Sequence, residues 1–390
     1  MIPRTRVNYT IRDIVGALVR RSRHGPWSRR LAGQLQDVYG IEPLLTASGR
    51  GALYHLLESI PRHRVIVPAY TCSAVHEAAM LAGKHITCVD VPAGCFNTTA
   101  EALTEDADGD SIIIATHQFG FPCDIKRVVA IAHSKGSYVV EDCAAALGAT
   151  VDGKPVGTFG DASFFSFDCS KLVTVPLKGG FLMVQDSEIR QRVFAASKKS
   201  MRVMPVLAKL RLLAAGLVLR VIGHNSLYSL FHSLHFKMRG RVTAETGKLA
   251  AKLNDFYCLQ LAEWQACIAS KQFSKLDTLV SQRRILFSRL LDKLSAAEVT
   301  LPKLGDREGS APIRFPILVP GDKICFYHEL CKHGIDCSFS FTFLAPHTIG
   351  PHAKKIAEQI LDLPFYHSLR PNELDMTAKA VQETAKMVST

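Results

Sequence analysis

Three short segments hold the residues best placed to do chemistry. The first, Tyr138-Val139-Val140-Glu141-Asp142-Cys143-Ala144-Ala145-Ala146-Leu147-Gly148-Ala149, closes an apolar, β-branched run with two carboxylates and a string of small residues. In an open parallel sheet ligands bind outside the carboxyl ends of the strands, so Asp142 stands where a ligand-directed carboxylate belongs. An Asp at that place can also simply cap a helix. The second, Gly160-Asp161-Ala162-Ser163-Phe164-Phe165-Ser166-Phe167-Asp168-Cys169-Ser170-Lys171, again runs from a strand to a polar turn and ends in a lysine. Among apolar and aromatic neighbours a lysine loses hydration, its pKa falls, and its neutral amine can form a Schiff base. Taken alone Lys171 reads as a surface lysine. Asp142 on a neighbouring strand end and the Ser166 hydroxyl, suited to a phosphate oxygen, raise it above that reading. The third segment, Thr46-Ala47-Ser48-Gly49-Arg50-Gly51-Ala52-Leu53, sets small residues and an arginine at a helix start. Exposed backbone N–H groups and the positive end of the helix dipole make Ser48, Gly49 and Gly51 a phosphate site, to which Arg50 adds a clamp.

A reactive amine, a carboxylate able to keep a pyridine nitrogen protonated and a phosphate cup, in that combination, suit pyridoxal 5′-phosphate (PLP). The elements that must position them follow from periodicity. From about residue 40 to residue 185, short apolar runs alternate with helical stretches every 20 to 30 residues, the rhythm of a mostly parallel α/β sheet. Strands are expected at Val65 to Pro68, Ile86 to Asp90, Ser111 to Thr116, Tyr138 to Asp142, Ser163 to Phe167 and Gly180 to Val184. Helices are expected at Gly51 to Ser59, Ser73 to Ala82 and Ile125 to Lys135. A large α/β domain over 1–253 and a smaller α+β domain over 254–390 describe the chain, the latter opening with a helical pattern from Glu263 to Leu291. Within the large domain an apolar, basic insertion occupies about 200–240. Within its Val206 to Val221 core, punctuated by Lys209, Arg211 and Arg220, the longest uncharged run, Leu212 to Leu219, is far too short to span a bilayer. It suits a helix lying on a membrane surface or lidding a site, while packing against a neighbouring lobe or subunit is the plainer reading.

Composition narrows the class. The 390 residues are 47% hydrophobic, which excludes a disordered or fibrous chain, and 47 Lys plus Arg against 35 Asp plus Glu leave a net charge of +12 that favours anionic partners. No basic run with interleaved aromatics and no helix-turn-helix or zinc-finger spacing points to nucleic acid. Eleven cysteines behind an N-terminus with no apolar signal core point to a reducing cytoplasm. Cys123, Cys143, Cys258 and Cys267 lack paired C-x-x-C spacing, so no metal is expected.

The chain resembles the DegT-type sugar aminotransferases, fold type I PLP enzymes. The resemblance runs from about Leu45 to Leu369. It is carried by SGRGAL at Ser48, VPAYTCSAV at Val67, CVDV at Cys88, THQFGFPCD at Thr116, VVEDCAAALGA at Val139, GDASFFSFDCSK at Gly160 and KGGFLMV at Lys178. EWQACIASKQFSKLD from Glu263 and LPFYHSL from Leu363 match later family segments. The resemblance implies Lys171 as the lysine that carries the cofactor and Asp142 as partner of the pyridine nitrogen. It implies Ser166 with the Ser48 to Gly51 turn as phosphate ligands, and His117 and His347 as substrate contacts. It also implies a homodimer with shared sites. Four positions depart from the family pattern. Ala145 replaces a glutamine at the ring hydroxyl, and Cys72 replaces the aromatic residue that stacks on the ring. Cys258 stands where the partner subunit lends an asparagine, although Asn254 is near, and Lys178 replaces an acid. Cys72 and Ala145 therefore count as cofactor-site positions with weakened contacts, each loss worth about 1 kcal/mol.

The implied reaction moves an amino group from an amino acid, L-glutamate in the first instance, to a keto sugar carried on a nucleotide, in amino-sugar or cell-surface polysaccharide synthesis. Two other readings stay open. One is a PLP-dependent dehydration or lyase reaction, against which Lys171 speaks because dehydrating members carry histidine there. The other is a non-catalytic PLP-fold regulatory or membrane-associated binding protein.

Overall fold

A computed structural model describes residues 1–19, 26–239, 249, 252–295, 297–301, 307–341, 344–345 and 350–389. Its main sheet is built from β1 (Leu44–Thr46), β2 (Arg64–Pro68), β3 (His85–Val89), β4 (Ser111–Thr116), β5 (Tyr138–Asp142), β6 (Ala162–Ser166) and β7 (Gly180–Val184), in the order β1-β7-β6-β5-β4-β2-β3. The ladder from β3 through β6 is parallel, and β7 runs antiparallel to both β6 and β1. The six strands expected from periodicity are all present, shifted by no more than one residue.

Strands of a parallel sheet are covered on both faces, and because side chains alternate, one apolar run must feed two cores. Val65 and Val67 of β2, Ile112 and Ile114 of β4 and Val140 of β5 pack on one side with α3 (Gly49–Ser59), α4 (Ser73–Leu81) and α7 (Ser187–Ser200). Ile66, Ile113, Ala115 and Val139 pack on the other, with the helices Ala100–Thr104 and Ile125–Ser134.

Behind β6 and β7 lies a third core, formed with α1 (Ile11–Val19), α2 (Trp27–Tyr39), α8 (Val206–Ile222) and α10 (Glu263–Phe273). The long helical pattern from Glu263 is two helices, since the chain turns at Ser274 and Lys275 before α11 (Leu276–Leu294). A division at 253/254 assigns α10 to the smaller lobe, yet α10 packs on α1 and α2 of the larger one. The C-terminal core joins α11 to a two-stranded antiparallel sheet, β8 (Phe315–Leu318) and β9 (Ile360–Leu363), and to the helices Lys323–Lys332, Pro351–Gln359 and Pro371–Ser389. Tyr70, Phe96, Phe119 and Phe121, from loops at the carboxyl edge of the sheet, belong to the same core and seat the lobe over that edge. In the insertion α8 is followed by α9 (Asn225–Arg239), which the sequence pattern did not separate.

A close backbone contact near the strand ends joins β7 to the start of α3. A Cβ on Gly180 would stand 2.6 Å from the Gly49 nitrogen and 2.6 Å from the Phe165 carbonyl oxygen, so no side chain fits without moving the strand or the helix. Gly180→Ala is therefore expected to cost ~1–3 kcal/mol by overpacking, read as a lowered urea midpoint.

Candidate active site

The carboxyl ends of β5 and β6, the start of α3 and the loop after β6 surround one cavity of about 230 Å³. Its wall carries Ser48, Gly49, Arg50, Cys72, Asp142, Ser166 and Lys171, which the sequence had singled out, and also Asp168, Lys178, Arg314 and Phe341. Asp142 ends β5, a strand buried along its whole length, Asp142 included. The Ala144 N–H donates to Asp142 Oδ1 at 3.0 Å. Burial pushes this carboxyl up, opposed by that N–H, by Lys171 and by His117.

Lys171 is placed by a tight polar turn. Asp168 Oδ1 accepts the N–H and the hydroxyl of Ser170, each at 3.1 Å, and the Lys171 N–H donates to the Asp168 carbonyl at 2.9 Å. Burial lowers the Lys171 pKa, and the positive charge of Arg314 lowers it further. Both favour the neutral amine, the form that attacks a carbonyl or takes a proton. The loop beyond is held from outside. The Thr174 and Pro176 carbonyls and the Lys178 carbonyl accept from the side-chain amides of Gln272 and Gln265, at 2.6, 3.1 and 2.9 Å. Between them Leu177 has φ of 61°, a left-handed conformation that a leucine keeps only where its surroundings overdetermine it.

At the other end of the cavity Ser48 caps α3, its Oγ accepting the Gly51 N–H at 3.1 Å and donating to the Phe256 carbonyl at 3.2 Å. The first N–H groups of a helix have no intrahelical partner; Gly49 and Arg50 line the cavity beside Ser166, whereas Gly51, its N–H taken by Ser48, lies off the wall. The cradle is one a side chain would fill, since a Cβ on Gly49 would lie 3.0 Å from Ser166 Cβ. Ser166 Oγ accepts the Asp168 N–H at 3.2 Å. Arg50 spends one terminal nitrogen on Glu77 at 2.9 Å, and Tyr257 donates to the same carboxylate. Cys72 sits at the N-cap of α4, and burial pushes its thiol up.

An amine whose pKa burial lowers, a buried carboxylate and a helix start with open N–H groups, all on one cavity, fit the three functional parts of PLP. Lys171 would hold its aldehyde carbon, Asp142 its ring nitrogen, and the Ser48 to Gly51 turn with Ser166 its phosphate.

Other expectations fare differently. His117 is fully buried and does not line the cavity. Its Nδ1 accepts the Cys123 N–H at 3.2 Å, which leaves Nε2 to donate to Glu141 at 3.0 Å. Glu141 in turn accepts the N–H groups of Gly157, Phe159 and Gly160, each at 2.8 Å. The histidine thus fastens a loop behind Asp142, out of a substrate's reach. With every lone pair of this carboxylate so engaged, the His117, Glu141 and Cys143 group is a fastening rather than a metal site. Ala145 also lies off the cavity wall, where Ala144 takes its place. His347 lies outside the described residues. Asn254 accepts the Phe256 N–H at 3.0 Å and so caps its own turn. None of the eleven cysteines is in a disulfide.

Arg314 and Phe341 were missed. Arg314, whose guanidinium is held by Asp362 at 2.9 Å and Ser338 at 3.2 Å, comes from the C-terminal lobe. A lone arginine inside the apolar run Ala311-Pro312-Ile313-Arg314-Phe315-Pro316-Ile317 was the available signal. Phe341 stacks on Phe119 with centroids 5.8 Å apart.

A model of the DegT/DnrJ/EryC1/StrS aminotransferase family matches residues 19–382. The chain belongs to that family. The resemblance carried by the glycine, aspartate and lysine motifs is borne out across nearly its whole length. The chain is 32% identical over 174 residues to a UDP-N-acetyl-3-dehydro-alpha-D-glucosamine 3-aminotransferase of Acidithiobacillus ferrooxidans, a match over 43% of this chain and 47% of that protein. It spans less than half the length of the first curated relatives it matches. Among solved structures, the aminotransferase TlmJ from Streptoalloteichus hindustanus superposes with a TM-score of 0.76 at 18% identity, covering 100% of both chains. NtdA from Bacillus subtilis with bound cofactor PMP superposes with a TM-score of 0.73 at 20% identity, over 99% of this chain and 84% of that one. At these identities the two structures establish the fold, and the fold type I architecture expected from the sequence is the one found.

Because Arg314 disfavours the protonated amine, Arg314→Met should raise the Lys171 pKa. The rate at which the amine condenses with a small aldehyde, followed against pH, should then rise at higher pH than in the wild type. An unmoved profile would show that burial alone sets this amine.

Proposed function

We propose that this chain is a PLP-dependent aminotransferase that passes an amino group from an amino acid, L-glutamate in the first instance, to a keto sugar on a nucleotide carrier. The observation that carries this reading is the meeting of Lys171, Asp142 and the α3 start on one cavity. The similarity to an aminotransferase acting on a UDP-linked sugar supports the acceptor class. The net charge of +12 suits a diphosphate-bearing acceptor.

PLP, when bound, supplies an aldehyde for the amine and a ring that withdraws electrons from the carbon losing its proton. The chain's own residues do the rest. Lys171 Nζ would serve as the base that takes the donor's Cα proton and as the acid that returns it. Its lowered pKa keeps it free to accept. Asp142, walled from water at the tip of β5, holds a proton on the ring nitrogen by charge. Arg50, Lys178 and Arg314 give the cavity a positive wall, which suits the phosphate at one end and the carboxylate of an amino-acid donor at the other. The donor leaves as a keto acid and the acceptor as an amino sugar. Such a product feeds amino-sugar or cell-surface polysaccharide synthesis, in a cytoplasmic homodimer on this reading.

Full-length protein with added PLP is expected to show a Schiff-base absorbance band that moves to shorter wavelength with L-glutamate and recovers when a nucleotide-linked keto sugar is added. Lys171→Ala should lack the band and the recovery. Wild type without a band at saturating PLP would overturn the reading.

A further inference from the structure

Three neighbouring helices turn apolar side chains outward. On α8, Leu207, Leu210, Val218 and Val221 are 59%, 56%, 53% and 45% exposed, and Ala214 is exposed between them. These positions recur every three or four residues, one face of a helix. Leu227, Leu230 and Leu234 repeat the pattern on α9, and Ile11, Val15 and Leu18 on α1. α8 packs against both of the other helices. Its anchor to the body is the opposite face, where Leu212 and Gly216 are buried. A Cβ on Gly216 would meet Pro176 at 2.6 Å, and the Tyr9 hydroxyl donates to the Gly216 carbonyl at 3.3 Å. The outward stripes therefore lie away from that anchor. Apolar surface of this extent, repeated on adjacent helices, marks an interaction face.

Charge selects its partner. Between Glu188 and Glu245 the sequence holds eleven Lys or Arg and no Asp or Glu. Of this stretch Arg211 on α8 is exposed, as are Arg202 before it and Lys198 and Lys199 at the end of α7. A second copy docking by two-fold symmetry would set these like charges against one another. An anionic bilayer surface answers both features, since headgroup phosphates attract the cations while the apolar stripes enter the acyl boundary. At the junction of α8 and α9 a cavity of about 580 Å³ is lined by Arg6, Arg220, His224 and Arg370, chemistry that suits a headgroup phosphate. Among the described residues Arg220 has no carboxylate partner, while Arg6 and Arg370 both meet Glu373, at 3.3 and 3.0 Å. No described helix is long and apolar enough to cross a membrane, so the helices would lie on the surface.

We propose that α1, α8 and α9 form a docking face for an anionic lipid bilayer. Because α8 rests on Pro176, in the loop that runs from Lys171 to Lys178, docking sets the wall of the candidate active site at the membrane surface. Docking of this kind does not depend on the reaction at Lys171.

The test is sedimentation of the full-length protein with vesicles of phosphatidylcholine alone and of phosphatidylcholine mixed with phosphatidylglycerol, at low and raised salt. Binding to the mixed vesicles is expected, roughly tenfold weaker on phosphatidylcholine alone and weakened by salt. The variant Leu210→Glu with Leu230→Glu should lose binding about tenfold while keeping its solution mass and its PLP band. Lys198→Glu with Lys199→Glu, which leaves the apolar stripes intact, should lose the preference for anionic vesicles. Absence of sedimentation with either vesicle, or undiminished binding by the leucine variant, would overturn the proposal. So would a fall in solution mass of that variant, which would assign the face to contact between copies.

Discussion

Keeping water from a lysine amine at the open end of a sheet is the constraint on which the rest of this structure depends. A strand end is where backbone and ligand can meet, and it is also where solvent enters. Lys171 is only partly exposed because the loop after β6 that carries it, without regular secondary structure of its own, packs in against the cavity. That loop is tied down at Thr174, Pro176 and Lys178 by two glutamine side chains of α10. The left-handed Leu177 is tolerated for the same reason. Burial then acts in opposite senses on the two groups that matter, lowering the lysine pKa and raising that of Asp142.

The phosphate end is governed by close approach instead. Gly49 and Gly180 let the start of α3 press against β6 and β7, which brings free N–H groups to the strand ends. Glu77 and Tyr257 brace Arg50 from behind, so its guanidinium is held in place before any anion arrives. The same economy appears behind Asp142, where His117 and Glu141 bind a loop that a residue-type reading takes for substrate machinery. Histidine beside a site and histidine within a site look alike in sequence. Only the direction of the ring and the occupancy of its two nitrogens separate them.

The departures from the family pattern gather on this cavity as well. Cys72 offers a small thiol where a ring would stack, while Phe341 brings an aromatic side chain to the wall from the C-terminal lobe. Lys178, in place of an acid, adds a second cation beside Arg50, and mutual repulsion with it helps burial lower the Lys178 pKa. The cavity is consequently more positive than the family pattern implies, and the helical insertion outside it is positive throughout.

The amino-acid sequence by itself determined what is local. The parallel sheet was legible because fully buried strands read as short apolar runs, and their bounds fell within a residue of those found. Lys171, Asp142, Ser166 and the Ser48 to Gly51 turn were legible because each lies at the end of such a run, where polarity changes abruptly. Tertiary structure alone decided what depends on distant parts of the chain. Arg314 reaches the cavity from just before β8, more than 140 residues beyond Lys171, His117 turns away from it, and Glu263 begins two helices rather than one. The outward stripes of α8 have the same helical spacing as a core-facing stripe. Periodicity reports that a face exists, and only packing decides whether protein or solvent lies against it.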